Sequence, residues 1–336
     1  MSALQAPNTP AALDARAQAA YTFALQALAL DSAEFAPASA DASFRRYFRL
    51  SHAQQTWVVM DAPPAQEDCK PFIDIAQLLL DAGLHGPRVL AQDLTQGYLL
   101  LSDLGRQTFL HVITDDNADA LFSSAIAALV QWQQASRPAV LPFYDAALLA
   151  RELALFPDWY VAKHLGRQFS AEQQGWWDET CALLIGRATA QAKVFVHRDY
   201  MPRNLMVSTP NPGVLDFQDA VYGPISYDVV SLFKDAFRSW PAERVALWRR
   251  QYWDSARAAQ LPVPQHYADF VRDFDLMGLQ RHLKVLGIFA RINYRDGKPH
   301  YLADTPRFIR YVRDVVVGDA ELRPLEQLFD SLSLHT

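Results

Sequence analysis

The sequence predicts an α+β protein in two parts, a small strand-rich segment followed by a larger helical one. Three observations carry that reading. Short aromatic and β-branched runs cluster in the first hundred residues, apolar spacing of helical period dominates after them, and Ser102-Asp103-Leu104-Gly105 stands at the join. The expected boundaries are 1–102 and 103–336, and a chain of 336 residues is long enough for each part to bury a core.

Residues 10–30 are rich in Ala and Leu, with Leu13, Ala17, Tyr21, Leu25 and Leu28 on one helical face. Asn8 or Thr9 is placed to cap that helix, and Pro10 to occupy its first turn. Residues 44–50 and 56–60 are short, aromatic and β-branched, which predicts two strands joined by a turn at 51–54. Helical spacing returns over 71–82 and stops at Gly83, and residues 89–91 and 97–101 predict a second strand pair. Beyond the join, helices are expected over 117–135, 145–165, 171–192, 226–237, 242–259, 265–292 and 304–316. A strand-like hairpin at 194–217 interrupts them.

Composition narrows the classes of function. Hydrophobic residues make up 51% and charged residues 20%, the balance of a folded soluble chain rather than a disordered one. Net charge is −6 with no basic tract, so no nucleic-acid partner is expected. Cys69 and Cys181 lie in neither a redox nor a zinc spacing. The first 20 residues lack a basic stretch leading into an apolar core, and no run approaches the ~18 apolar residues of a membrane span. A cytoplasmic location without a membrane partner is therefore expected.

The most specific signal is His197-Arg198-Asp199, followed five positions later by Asn204, with Asp216 on what reads as the next apolar strand. That spacing suits phosphoryl transfer. Asp199 can orient a substrate hydroxyl and accept its proton. Asn204 and Asp216 offer the oxygen ligands that a hard cation such as Mg²⁺ prefers, beside the phosphates of ATP. His197 is read as a core histidine bracing the loop, and Asp228 as a structural acid at a helix start.

Residues 197–204 with Asp216 resemble the catalytic segment of the aminoglycoside-phosphotransferase-type kinases, and Tyr222-Gly223-Pro224 leading to Asp228 resembles that family's continuation. The resemblance implies a bilobal, protein-kinase-like fold with ATP and Mg²⁺ as cofactors, and it implies that Asp228 orders the catalytic loop through hydrogen bonds. Residues 41–49, 60–64 and 99–105 are similar to one subgroup, the kinases that phosphorylate the anomeric hydroxyl of N-acetylmuramate and N-acetylglucosamine in bacterial cell-wall recycling. Another small alcohol or an aminoglycoside as acceptor, or a nucleotide-binding pseudokinase, are the alternatives.

The resemblance also implies a first-part loop over the nucleotide, with Ser43, Phe44, Arg45 and Arg46 facing its phosphates. The join, at Ser102, Asp103 and Leu104, is expected to present main-chain groups to the adenine edge. One departure stands out. Protein kinases carry a strand Lys paired with a helix Glu, yet residues 57–61 contain no Lys, which leaves Glu67 without an evident partner.

The acceptor is read from charge and aromatics. Residues 271–310 hold eight Lys and Arg against four Asp, and Arg281, Lys284 and Arg291 fall along one helical face. A basic face suits a neutral or anionic amino sugar better than a cationic antibiotic. Trp159 and Tyr160, following Glu152, are candidates for stacking on a sugar ring.

Overall fold

The structure is a computed structural model that describes residues 13–39 and 44–335. The chain divides into two units: residues up to Asp81 together with His85–Gly105, and Ala82–Leu84 together with the chain from Arg106 onward.

In the smaller unit, helix α1 (Ala15–Leu28) begins at Asp14, whose carboxylate accepts the Ala17 N–H at 2.8 Å. The caps expected at Asn8, Thr9 and Pro10 lie outside the described residues. Strands β1 (Glu34–Ser39), β2 (Arg46–His52) and β3 (Gln55–Asp61) follow, then helix α2 (Lys70–Asp81) and strands β4 (Val89–Asp93) and β5 (Tyr98–Ser102). They form one antiparallel sheet in the order β1-β2-β3-β5-β4. The sequence reading missed β1. Its Pro37 interrupts a strand pattern, and the sheet tolerates that proline because β1 lies on the edge.

Register places Val59 between Phe48 and Leu100, and all three side chains face the core. Ala17, Ala20 and Ala24 let α1 lie close against them. Charge fastens the same contact. Asp61, fully buried, accepts Arg16 Nη2 and Arg46 Nη2, each at 2.5 Å.

The larger unit contains helices α3 (Phe109–Val112), α4 (Ala118–Gln134), α5 (Ala146–Leu153) and α6 (Ala171–Ala190), then short strands β6 (Lys193–Val196), β7 (Leu205–Met206), β8 (Gly213–Val214) and β9 (Val221–Pro224). Helices α7 (Tyr227–Phe233), α8 (Ala242–Ala258), α9 (Tyr267–Asp296), α10 (Thr305–Val316) and α11 (Arg323–Ser331) complete it. Helix α9 is the axis of this unit. It buries residues on every side, from Phe274 and Leu283 to Arg281 and Lys284, as a helix enclosed by its neighbours must.

Two expectations are corrected here. Residues 145–165 are not one α-helix: α5 ends at Leu153 and a π-helical segment runs from Phe156 to His164. Pro157 has no N–H to continue the α ladder, which accounts for the change. The hairpin expected over 194–217 is two ladders, with β6 paired to β9 and β7 to β8. An apolar run such as 194–196 reads alike whichever partner it takes, so its spacing could not choose one. The short α11 escaped notice because nine residues carry little periodicity.

Candidate active site

Strand β6 delivers His197 into a loop that a short 3₁₀ turn, Pro202–Asn204, returns to β7. The loop is fixed from behind. Asp228, fully buried on the first turn of α7, accepts the main-chain N–H groups of His197 at 2.6 Å and Arg198 at 3.0 Å. Burial pushes its carboxyl up to about 7, against the pull of those two donors toward the charged form.

His197 Nδ1 accepts the Asp199 N–H at 3.3 Å, so the ring proton resides on Nε2. Burial holds this imidazole at about 4, the nearby Asp199 charge opposing only in part. Protonation would turn Nδ1 from acceptor into donor and break the bond to Asp199. A free histidine binds its proton near 6.5, so the unfolded chain takes up a proton that the folded one refuses. The His197 contribution to stability is thus complete above about pH 6.5 and falls toward pH 4, by at most about 1.4 kcal/mol per pH unit. Urea unfolding of wild type and His197→Gln across this range measures it: the stability difference in favour of wild type should widen as pH rises. A difference independent of pH would contradict the assignment.

Asn204 Nδ2 donates to the Asp199 carbonyl at 2.9 Å and to Asp216 Oδ2 at 3.2 Å, and Gln218 Nε2 donates to Asp216 Oδ1 at 3.0 Å. Asn204 thus ties the Asp199 main chain to the Asp216 carboxylate within the larger unit. Asp216 is not on a strand as expected. It follows β8 in the left-handed region at φ 63°, a strained setting for an L-residue and one typical of functional loops. Gln218, which steadies the carboxylate, carried no signal in the sequence beyond its position two residues on.

The expected basic face of α9 is corrected by burial. Arg281 is 2% and Lys284 9% exposed, and Arg291 is half-buried. Lys284 Nζ donates to Glu152 at 2.8 Å and to the Tyr227 hydroxyl at 3.0 Å. Burial alone would raise the Glu152 carboxyl; Lys284 and Arg198 more than reverse this, so it lies below the usual carboxylate range. Tyr160 is not an open stacking platform either. It is buried in the helical core, stacked on Phe156 with ring centres 5.7 Å apart, and Trp159 packs against the same cluster. Aromatic residues at helical spacing are drawn into a core unless something holds them out.

In the smaller unit Ser43 lies outside the described residues, and Phe44 is exposed. Arg45 supplies the partner that the sequence left missing for Glu67, at 2.8 Å. Arg46 is occupied by Asp61 and Asp14, which corrects the expectation that it faces phosphate. The Ser102 N–H is likewise taken, by the Arg88 carbonyl at 2.9 Å. The Asp103 carboxylate grips Arg49 at 2.6 and 3.0 Å, and Leu104 is buried.

A family model described as the phosphotransferase enzyme family matches residues 34–269. This chain belongs to that family. The phosphotransferase is 58% identical over 300 residues to an N-acetylmuramate/N-acetylglucosamine kinase of Pseudomonas aeruginosa, covering 89% of each chain. It is 57% identical over 295 residues to the kinase of the same name from Pseudomonas putida, covering 88% of this chain and 87% of that one. Among solved structures it resembles the ADP-bound aminoglycoside phosphotransferase APH(2'')-Ib, with a TM-score of 0.61 at 14% identity, over 90% of this chain and 99% of that one. That likeness extends to the fold, which is α+β and of the aminoglycoside-phosphotransferase kind. Among the described residues, no helix is long and apolar enough to cross a membrane.

Proposed function

We propose that this phosphotransferase is a cytoplasmic, ATP-dependent kinase that phosphorylates the anomeric hydroxyl of N-acetylmuramate and N-acetylglucosamine. The observation that carries the reading is the 58% identity, across 89% of both chains, to a kinase named for those two sugars. The bonds that tie Asn204 to the Asp199 main chain and to Asp216 support the chemistry.

In the proposed reaction the sugar C1 oxygen attacks the γ-phosphorus of ATP. An O–P bond forms there, the bond from the γ-phosphorus to the β–γ bridging oxygen breaks, and ADP leaves. Asp199 orients the hydroxyl and takes its proton. The donor set at Asn204 and Asp216 fits Mg²⁺, which commonly takes one or two carboxylates plus substrate phosphates rather than a closed protein cage. Two hydrogen bonds engage the Asn204 amide nitrogen, leaving its carboxamide oxygen as the group suited to a hard cation. When bound, the ion would neutralise charge on the phosphates. In the smaller unit we assign Arg45, held by Glu67, to the nucleotide phosphates in place of the absent strand Lys, with the main chain of Phe44, Asp103 and Leu104 as further nucleotide contacts.

The test is direct. With ATP and Mg²⁺, each amino sugar should yield a product whose ³¹P and ¹³C spectra couple phosphorus to C1. Phosphate at C6, or transfer to choline or an aminoglycoside with none to amino sugars, would refute the proposal.

A further inference from the structure

Arg198 stands immediately before Asp199 in a backbone conformation that L-residues avoid, with φ at +77°. Such strain persists only where surrounding contacts over-determine it. The main chain of Arg198 is fixed by Asp228, and its guanidinium reaches Glu152 Oε1 at 2.5 Å while lying 5.7 Å from the centre of the Tyr144 ring. Glu152 is itself held by several donors. It is 5% exposed, and its two oxygens also accept Lys284 at 2.8 Å, Gln280 at 3.1 Å and the Tyr144 hydroxyl. Donors from α9, from the segment before α5 and from the catalytic loop thus meet on one carboxylate, which cannot turn without breaking several bonds. One anion between two cations leaves the cluster with surplus positive charge, and Asp199 is among the anions that favour the charged form of Lys284.

We propose that Glu152 is a positioning residue for phosphoryl transfer. By gripping the Arg198 guanidinium it keeps residue 198 left-handed and so sets the direction in which Asp199 presents its carboxylate. Glu152 and Lys284 then act as a buried brace behind the loop rather than as sugar ligands. The inference rests on the proposed role of Asp199 as proton acceptor.

Glycine separates the brace from the backbone, because it adopts a φ of +77° without a Cβ penalty. Arg198→Ala, which loses the guanidinium and keeps a Cβ, should lower kcat by about 10–10²-fold with both KM values within about twofold, and Arg198→Gly should recover part of that loss because it holds the left-handed conformation unaided. Glu152→Gln should lower kcat similarly, and Arg198→Lys should restore part of the loss. Wild-type kcat in Arg198→Ala overturns the inference, as does a raised sugar KM at unchanged kcat, which would mean direct substrate contact. Asp199→Asn serves as the reference. If that variant is inactive while Arg198→Ala is fully active, only the brace falls; if both turn over normally, the Asp199 role falls with it.

Discussion

Replacing Asp199 with asparagine should lower kcat by about 10²–10⁴-fold while leaving folding and nucleotide affinity near wild type, the usual scale for loss of a general base. The substitution keeps size and a hydrogen-bonding oxygen, so it can still touch the acceptor hydroxyl but cannot take its proton. The main-chain bonds that shape the loop, from the Asp199 N–H to His197 and from Asn204 to the Asp199 carbonyl, do not involve the carboxylate and survive the change. Single-turnover kinetics isolates the step, and calorimetric titration with ATP and Mg²⁺ reports whether the nucleotide still binds. Turnover within a few-fold of wild type would remove Asp199 from the reaction. Loss of nucleotide binding along with turnover would instead assign it a role in holding the site together.

Gly287→Ala should destabilise the larger unit by about 3 kcal/mol or more, although it substitutes none of Asp199, Asn204 and Asp216. A Cβ at position 287 would lie 2.3 Å from both the carbonyl carbon and the carbonyl oxygen of Leu155. Those are main-chain atoms at the junction of α5 and the π-helical segment, so no side-chain rotation can relieve the clash. Either α9 or the 155 region must move, and both carry the principal helical core. Urea denaturation should show a lower midpoint at an unchanged slope. A midpoint within experimental scatter of wild type would mean that the two segments separate readily.

Much of the fold was legible because period and position agreed. The β2–β3 pair, α2, β5 and the long α9 all stand close to where their spacing and composition place them. The strand β1 was not legible, because Pro37 is compatible with a strand only once its edge position is known. The pairing of β6 with β9 was hidden for a different reason: register belongs to the partner, not to the run itself.

At the candidate site, the motif gave the spacing of Asp199, Asn204 and Asp216, and the structure gathers those residues. Charge counting along α9 went astray. Arg281 and Lys284 share a helical face, but that face points inward, where Lys284 answers a glutamate 132 residues away in the chain. Ion pairs of that separation leave no periodic trace. The Arg45–Glu67 pair is the reverse case, in which both residues were noticed separately and only their 2.8 Å approach joins them.

Asp61 is sealed from water and shared between Arg16 on the leading helix and Arg46 on the second strand. Peeling that helix off the sheet would abandon part of a negative charge in an apolar setting, so the first helix cannot fray alone at low cost. Helix and sheet of the smaller unit therefore open together, as one cooperative body, and amide protons along α1 should exchange on the same slow schedule as those of β3 rather than at the pace of a loose terminus.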